Sequence, residues 1–392
     1  MNISPPEYAA AALRALESRG FEAFLVGGCV RDAILGRRPA DWDICTSATP
    51  QEMAGVFARS YPTGIKHGTL TVISRGRALE ATTYRTDGAY SDNRRPDTVS
   101  FVSDLREDLA RRDFTMNAIA LSSRGELVDP FGGREDLAAR LIRCVGEPDA
   151  RFREDALRIL RALRFSAVLG FEMEAQTREA VYRNAPLIQN VARERVSAEL
   201  TKALSSDRPE IAAEMLGLSG LIPALPEPPD KRLGRIKRLR KAPAQRWAAL
   251  AALLTQDGVL SAPEELLLKL KLDGATARAA VRGSELALKK PPETAADWKR
   301  CLCKHGEGTA RAAAAAMSVL YGGALAQHLR AVLRSGEPYR ISDLALGGRQ
   351  LLELGLVGER VGSVQRALLE RVIIAPEDNT EEKLREIVEK MI

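Results

Sequence analysis

The 392-residue chain has few of the features that mark membrane, secreted or histidine-metal proteins. No run reaches the roughly 18 consecutive apolar residues of a membrane span, and the first twenty residues lack the apolar core of a signal peptide. The five cysteines are few and scattered, so we expect no disulfide scaffold and a reducing cytoplasm. None of the three histidines belongs to a His-Asp pair, which speaks against a metal phosphohydrolase domain.

Positive charge exceeds negative charge only slightly, with 58 Lys and Arg against 52 Asp and Glu. The net charge of +6 identifies no partner by itself. The distribution is more informative, because residues 231–241 (KRLGRIKRLRK) are rich in basic side chains and contain no acid. Such a stretch suits an anionic polymer, and a solvated helix face is the alternative.

Two kinds of apolar spacing divide the chain. Through about residue 130, short apolar strands alternate with helices, which predicts a mixed sheet with helices packed on it. From about Gly133 onward strand signals vanish and apolar residues recur at helical spacing. The predicted fold class is therefore α+β, a mixed-sheet head followed by an elongated all-helical C-terminal region.

Two aspartates stand close together in Asp41-Trp42-Asp43, within a strand predicted over residues 41–46. Aspartate is disfavoured in strands, so the pair needs a reason. Because side chains alternate between the faces of a strand, Asp41 and Asp43 share one face, and Trp42 and Ile44 point to the other. Two carboxylates on one face can hold Mg²⁺, which prefers oxygen ligands. Taken alone, such a pair is more often two exposed acids on an edge strand.

The turn Gly27-Gly28 lies between a predicted strand and a predicted helix, shortly before these aspartates. Glycines at such a turn let backbone amides approach a phosphate, and the start of a helix favours an anion. Arg31 can add a forked donor to the same triphosphate. A glycine turn followed by a strand with two aspartates on one face indicates nucleotidyl transfer.

Several motifs follow one another in the first half of the chain. Together they support nucleotidyl transfer more specifically than any single motif does. They are GGCVRDAILGRRPADWDICTSATP at 27–50, TTYRTDGAYSDNRRPDTVSF at 82–101, RRDFTMNAIA at 111–120, DPFGGREDL at 129–137, REDALRILRALRF at 153–165 and RERVSAEL at 193–200. Together they resemble the class II tRNA nucleotidyltransferase and bacterial poly(A) polymerase family. Beyond residue 200 only the helical character matches.

The resemblance implies an enzyme whose chemistry depends on a few of these residues. Asp41 and Asp43 would be catalytic and would hold the Mg²⁺ cofactor, while Gly28 and Arg31 would bind the triphosphate. Glu80 stands where the family has a candidate third active-site acid, and a salt-bridged surface glutamate is the alternative.

Two further segments carry roles that the resemblance implies. Arg112 and Asp113 fall where the family contacts the ribose, and a donor–acceptor pair suits a 2′-hydroxyl, which both gives and accepts hydrogen bonds. The polar segment 87–96 resembles the flexible loop that helps the final adenosine addition.

Asp155 and Arg158 match the base-reading motif of the family. Three residues apart, they are expected on one helix face. A carboxylate accepts from the exocyclic amine of CTP or ATP, and a guanidinium donates to the neighbouring acceptor. UTP and GTP present a carbonyl there, which leaves acceptors unpaired, so the pair would select bases without a nucleic-acid template. The resemblance implies that Arg161 and Arg164, farther along the helix, also contact the nucleotide; a solvated face is the alternative.

The resulting hypothesis is template-independent addition of C, C and A to the 3′ end of tRNA, from CTP and ATP with release of pyrophosphate. The family predicts a catalytic head at 1–132, a base-recognition neck at 133–205, a helical body at 206–290 and a tRNA-binding tail at 291–392. The expected partner is the acceptor arm and 3′ end of tRNA. No membrane and no obligatory protein partner are indicated.

Several alternatives remain open at this stage. A poly(A) polymerase shares nearly every head motif. An enzyme that adds only A, or only CC, is a second alternative, although the intact 87–96 segment argues against the CC-only form. A catalytically inactive RNA-binding protein is the alternative from another class, and the presence of both Asp41 and Asp43 argues against it.

Overall fold

The computed structural model of the chain describes residues 3–88, 98–224 and 231–391. Most of the 87–96 segment therefore lies outside the described residues. The chain divides into two compact units, one of residues 1–203 with 218–220 and the other of residues 204–217 with 221–392. The four-part division into head, neck, body and tail stays a prediction.

The strands of the described residues lie in the first unit. They are β1 Ala23–Val26, β2 Asp43–Thr46, β3 Ser60–Gly64, β4 Thr69–Ser74, β5 Arg77–Thr83, β6 Arg85–Asp87, β7 Val99–Phe101, β8 Ala120–Leu121, β9 Leu127–Val128, β10 Leu141–Ile142 and β11 Glu172–Met173.

The α-helices of the first unit cover the sheet and continue beyond it. They are α1 Glu7–Glu17, α2 Gly28–Ile34, α3 Pro50–Val56, α4 Leu105–Ala110, α5 Gly133–Ala138, α6 Pro148–Glu154, α7 Leu157–Leu169, α8 Ala175–Asn184 and α9 Arg193–Leu204, whose last residue belongs to the second unit.

The second unit is helical throughout its described residues. Its α-helices are α10 Glu210–Leu218, α11 Pro243–Gln256, α12 Pro263–Lys269, α13 Gly274–Ala287, α14 Ala295–Leu320, α15 Leu325–Arg334, α16 Gly348–Glu353, α17 Glu359–Ile374 and α18 Glu381–Glu389. No helix of the described residues is both long and apolar enough for a membrane span.

The head is built on a seven-stranded sheet in the order β3-β4-β5-β2-β1-β8-β9. Strands β2 and β5 pair in parallel, and the other neighbours pair antiparallel. This mixed sheet, with helices on it and a helical second unit, confirms the predicted α+β class. The parallel pair matters most for the site, because it places Asp43, the first residue of β2, beside Glu80 in the middle of β5.

The expectation that strands end near Gly133 is wrong in one detail. β10 and β11 pair in parallel beyond that residue. Each strand has only two residues, so no alternation of apolar and polar residues could reveal it. The pairing joins the segment after α5 to the segment after α7.

Gly133 at the start of α5 allows a close backbone contact that later positions the site. A Cβ at this residue would lie 2.2 Å from the carbonyl oxygen of Thr115. Only glycine therefore lets α5 pack directly on the 3₁₀ turn Thr115–Asn117. The RRDFTMNAIA motif contains this turn. Asn117, the last residue of the turn, accepts a hydrogen bond from Arg31 on α2.

Candidate active site

The pairing of β2 with β5 places Asp43 beside Glu80, with Asp41 just before β2. β2 begins at Asp43, two residues later than the sequence predicts, so Asp41 lies just before the strand. Asp41 and Asp43 are exposed while Trp42 is buried, as the alternation predicts. In the parallel pairing of β2 with β5, Asp43 lies directly opposite Glu80. The sequence placed Glu80 only by resemblance, whereas the register makes it a neighbour of Asp43.

The surroundings of Asp43 raise the pKa of its carboxyl. Desolvation by the surrounding protein and the negative charge of Glu80 raise the pKa of Asp43, and the charge of Asp41 adds to this effect. The guanidinium of Arg112 opposes it. A divalent cation would relieve this repulsion, so the donor set suits a hard metal ion.

Protein side chains alone do not form a complete metal cage here. Among the described residues, no three His, Cys, Asp or Glu side chains converge closely enough to hold a metal ion. Mg²⁺ usually binds through one or two carboxylates together with substrate phosphates and water. The paired aspartates therefore fit a metal that arrives with a nucleotide.

The glycine turn lies against two arginines. Gly27 adopts φ +84°, which favours glycine, and Gly28 is the first residue of α2. A Cβ at Gly27 would lie 3.4 Å from Nη1 of Arg112, and one at Gly28 would lie 3.6 Å from Nη2 of Arg31. The turn expected to approach phosphate is therefore flanked by guanidinium groups on the side that a Cβ would cover.

A buried aspartate that the sequence did not single out fixes the arginines of the RRD motif. Asp108, fully buried on α4, accepts hydrogen bonds from Arg111 (2.8 Å to Nη2) and from Arg112 (2.9 Å to Nη2). Burial alone would raise the pKa of Asp108, but the guanidinium groups of Arg112 and Arg111 outweigh burial and lower it. Arg112 is thereby held beside Gly27, with no partner for its buried Nε among the described residues.

Asp113 has both of its oxygens engaged. Oδ1 accepts from the backbone N–H of Phe114 (2.8 Å) and from Nδ2 of Asn117 (2.9 Å). Oδ2 accepts from Nε of Arg161 at 2.8 Å and lies 2.6 Å from its Nη2. Burial opposes ionisation, but Arg161 and Asn117 lower the pKa of Asp113 to about 2. A ribose hydroxyl would have to displace one of these donors, so the geometry favours Asp113 as the residue that positions Arg161.

The sequence predicted that Asp155 and Arg158 share one helix face, and this prediction is wrong. α6 ends at Glu154, Asp155 is extended (φ −137°), and α7 begins at Leu157. Periodicity missed this break because Glu-Asp-Ala carries no helix-breaking residue. The carboxylate of Asp155 instead accepts from Leu157 N–H (3.1 Å) and from Nη2 of Arg195 (2.9 Å).

Arg158 is buried and also paired within the motif. Its Nη1 donates to Glu154 (2.6 Å), and its Nη2 donates to the carbonyl oxygen of Arg111 (2.9 Å). Asp155 and Arg158 thus lie close in sequence but are each held by a separate partner. A nucleotide base that met both would compete with Arg195 and Glu154 for them.

Phe165 gathers three arginines around one ring. The guanidinium carbons of Arg164, Arg31 and Arg161 lie 3.6, 4.9 and 5.4 Å from its centroid. Cations at such distances are attracted to an aromatic face. Arg164 also donates to the buried carboxylate of Glu199 on α9 at 2.7 Å. The ring of Phe165 is therefore the surface on which these three arginines pack.

The basic stretch borders a cleft of about 530 Å³ in the second unit. Five arginines line this arginine cleft together with the Gly322-Gly323 turn at the start of α15, and the lining among the described residues contains no acid and no aromatic ring. The arginines are Arg235, Arg238, Arg240, Arg311 and Arg330.

The arginines of the cleft differ in how they are held. Arg311 pairs with Glu307 at 2.6 Å, and Arg235 donates to the carbonyl oxygen of Val319 at 3.0 Å. Arg238 and Arg240 are exposed and pair with no acid in the part of the chain that the structure describes. The cleft therefore carries positive charge that the described residues do not neutralise.

Sequence reasoning missed three residues that organise the site: Asp108, Asn117 and Glu199. Asp108 could have been suspected from its place four residues before Arg112 on a helix. Asn117 lies inside a quoted motif, but nothing in a one-dimensional pattern shows that its amide meets both Arg31 and Asp113. Glu199 pairs with an arginine 35 residues away, and only the folded chain brings them together.

Two protein families match parts of this chain, and they identify the class of protein to which the head belongs. The family described as the poly A polymerase head domain matches residues 23–143, and the one described as the probable RNA and SrmB-binding site of polymerase A matches residues 170–230. The paired aspartates, the glycine turn and the arginines all lie in the head match or just beyond it. The chain is thus a member of the nucleotidyltransferase class that this head defines.

Similar proteins that match a larger share of the chain identify the family more specifically. A CCA-adding enzyme of Geobacillus sp. (strain WCH70) is 37% identical over 97% of this chain and 96% of its own length. One from Geobacillus thermodenitrificans is 48% identical, but that match spans 64% of this chain and 61% of the relative's length. The crystal structure of the Bacillus stearothermophilus CCA-adding enzyme in complex with CTP superposes with a TM-score of 0.78 at 34% identity, covering 98% of both chains. The chain belongs to the CCA-adding enzyme family.

Asp108→Asn tests whether the buried carboxylate holds the RRD arginines. Removing one partner of a buried ion pair costs about 3–5 kcal/mol, because it leaves an uncompensated charge. We expect a clearly lower melting temperature together with weaker nucleotide binding. The matched control is Glu179→Gln, which removes one side of an exposed 3.9 Å pair and should change stability by less than about 0.5 kcal/mol. Equal melting temperatures for the two variants would contradict this role of Asp108.

Proposed function

We propose that this protein adds C, C and A to the 3′ end of tRNA, using CTP and ATP and releasing pyrophosphate. The observation that supports this best is the single cluster formed by the paired carboxylates, the glycine turn and the buried arginines of α2 and α7. Carboxylates serve metal-assisted phosphoryl chemistry, and the glycine turn with Arg31 and Arg112 suits a triphosphate.

The family's enzymes generally use a divalent metal ion. For this chain we propose Mg²⁺, held by Asp41 and Asp43 beside Glu80. When bound, it would help to activate the terminal 3′-hydroxyl of the tRNA and stabilise the departing pyrophosphate. Arg31, Arg112 and the backbone of Gly28 would orient the triphosphate, so that its α-phosphorus meets the hydroxyl.

Base selection would depend on Asp155 and Arg158. The carboxylate can accept from the exocyclic amine of cytosine or adenine, and the guanidinium can donate to the adjacent acceptor. Arg195 and Glu154 hold the two side chains in place before a base arrives. Arg161 and Arg164 would support the nucleotide from the same helix, with Asp113 and Glu199 fixing their positions.

The decisive experiment uses tRNA that lacks its terminal CCA, all four triphosphates and Mg²⁺, followed by sequencing of the product end. CCA at the end supports the proposal. Addition of A alone or CC alone identifies a partial-activity enzyme, and a long A tail from ATP alone identifies a poly(A) polymerase. No incorporation by the wild type, with Asp43→Ala as the background, identifies an inactive RNA-binding protein.

Asp155 variants test the base-reading role separately. We expect Asp155→Ala to lose discrimination among the four nucleotides by about tenfold or more, because the acceptor that excludes carbonyl-bearing bases is gone. Asp155→Asn should admit UTP in particular, since its amide N–H₂ can donate to a uracil carbonyl. Single-turnover incorporation of each nucleotide measures this. Wild-type selectivity in both variants would refute it.

We also propose that the arginine cleft binds the phosphate backbone of tRNA. The cleft offers guanidinium groups but no aromatic ring on which a base could stack, so it suits contact that is independent of sequence. Exposed, unpaired Arg238 and Arg240 are the side chains most available to phosphate. Because the candidate catalytic residues all lie in the first unit, we expect the arginine cleft to affect only the affinity for tRNA.

We place the reaction in the cytoplasm, where tRNA is matured.

The double substitution Arg238→Gln and Arg240→Gln tests the arginine cleft. Each lost phosphate contact should reduce the slope of log affinity against log salt by about 0.7–0.9. We expect a higher KM for tRNA and an unchanged KM for CTP. Arg14→Gln is the matched control, because Arg14 lies on α1 of the first unit, outside the predicted tRNA-binding tail, and 51% of its side chain is exposed. An unaltered salt slope in the double variant would exclude the cleft as a tRNA surface.

A further inference from the structure

We propose that Asn117 is a positioning residue that holds Arg31 toward the triphosphate without neutralising its charge and couples it, through Asp113, to Arg161 of the nucleotide-binding helix. The inference rests on the proposed function, because it takes Arg31 as a triphosphate ligand. It assigns a role to a side chain that neither the sequence motifs nor the nucleotide chemistry required.

The amide of Asn117 stands between an arginine and an aspartate. Its Oδ1 accepts from Nη1 of Arg31 at 2.8 Å, and its Nδ2 donates to Oδ1 of Asp113 at 2.9 Å. The reverse orientation of the amide would set donor against donor and acceptor against acceptor. Only a side chain that both accepts and donates fits this place, and Asn117 is 95% buried, with 5% of its surface exposed.

Arg31 is held on three sides and still keeps donors for a ligand. Nε and Nη2 meet Asp32 at 2.9 and 2.8 Å, Nη1 meets Asn117, and the guanidinium lies over Phe165. Of the five N–H groups of a guanidinium, two therefore have no partner among the described residues. Nη2 is also the arginine atom that a Cβ at Gly28 would approach. One of the two remaining donors, on Nη2, thus lies at the glycine turn.

The neutrality of Asn117 matters for charge balance. Asp32 and Asp113 already match the charges of Arg31 and Arg161, so a carboxylate at position 117 would make this group net negative. A buried arginine can be held by a carboxylate or by an amide, and the amide leaves more of its positive charge for an anion. A triphosphate approaching Arg31 therefore meets a less negative surface than it would beside a third acid.

The chain from Arg31 to Arg161 joins separate parts of the first unit. Arg31 lies on α2, Asn117 on the 3₁₀ turn that packs against α5, and Arg161 on α7. Both arginines also contact the ring of Phe165. A displacement of Asn117 would therefore loosen the triphosphate end and the base end of the site together.

The nearly isosteric substitution Asn117→Asp tests this arrangement. The new carboxylate would make the group around Arg31 net negative and repel Asp113, so we expect KM for CTP and ATP to rise by about tenfold or more at pH 8, with a smaller change in kcat. A protonated carboxyl again donates through its O–H and accepts through its carbonyl, as the amide does. The defect should therefore shrink as the pH falls from 8 to 6.

The pKa of a carboxyl introduced at position 117 depends on the charged groups of every element packed against it. The like charge of Asp113 and burial raise the proton affinity of a carboxyl at position 117, whereas neighbouring arginines lower it, and the carboxyl pair would titrate together. The groups are Arg31 and Asp32 on α2, Asp113 before the turn, Asp136 on α5, and Arg158 and Arg161 on α7.

Two further variants make the result decisive. Asn184→Asp is the matched control, because Asn184 is also buried and donates to an aspartate, Asp149, but contacts no nucleotide-site arginine. It should leave KM for CTP unchanged at both pH values. Asn117→Ser keeps a neutral donor and acceptor, so its defect should be smaller than that of Asn117→Asp at pH 8 and independent of pH.

The outcomes separate this inference from the proposed function. Wild-type KM in Asn117→Asp, an equal defect at pH 6 and pH 8, or the same defect in Asn184→Asp would each overturn the role of Asn117. A Ser variant more impaired than the Asp variant at pH 8 would overturn it as well. If Asn117→Asp melts below the assay temperature, Asn117→Ser decides alone: a raised KM for CTP supports the role, and a wild-type KM overturns it. Absence of CMP and AMP addition by the wild type would instead reject the proposed function.

Discussion

The ion pair between Asp113 and Arg161 connects the sheet-bearing head to helix α7, and the candidate nucleotide contacts are arranged around it. Asp113 is 8% exposed, accepts hydrogen bonds from Phe114, Asn117 and Arg161, and has its pKa lowered to about 2. It therefore stays ionised at any physiological pH and holds Arg161 permanently. Burying a charge is costly unless it is paired and hydrogen-bonded, which explains why every acceptor of Asp113 is used.

The same principle recurs through the first unit. Asp108 holds Arg111 and Arg112, Glu199 holds Arg164, and Glu154 holds Arg158. Each arginine loses its conformational freedom before a substrate binds, so less entropy is lost when a nucleotide arrives. Such fixed side chains suit the proposed base selection, because a misplaced donor would weaken the distinction between bases.

The second unit presents arginines in a contrasting state. In the arginine cleft, Arg238 and Arg240 are exposed and pair with no acid among the described residues. Exposed cations can contact a phosphate backbone, and such contacts carry no information about sequence. Arginines held by acids at the head site, and Arg238 and Arg240 without an acid partner among the described residues, thus fit the two proposed tasks, recognition of a small nucleotide and retention of a large polyanion.

The sequence by itself determined the fold class, the paired aspartates on one strand face and the glycine turn, because these follow from alternation, helical spacing and local motif order. The arginines of the RRD motif and of α7 were candidates only through the family resemblance. Glu80 could be named only by resemblance, since its pairing with Asp43 depends on the register of two strands 37 residues apart. The tertiary structure alone decided that Asp155 leaves the helix to meet Arg195, that Asp113 holds Arg161, and that Asn117 bridges Arg31 and Asp113. These contacts join residues 40, 48 and 86 positions apart. Local spacing constrains which side chains share a face, but hydrogen bonds across such separations depend on how the elements pack.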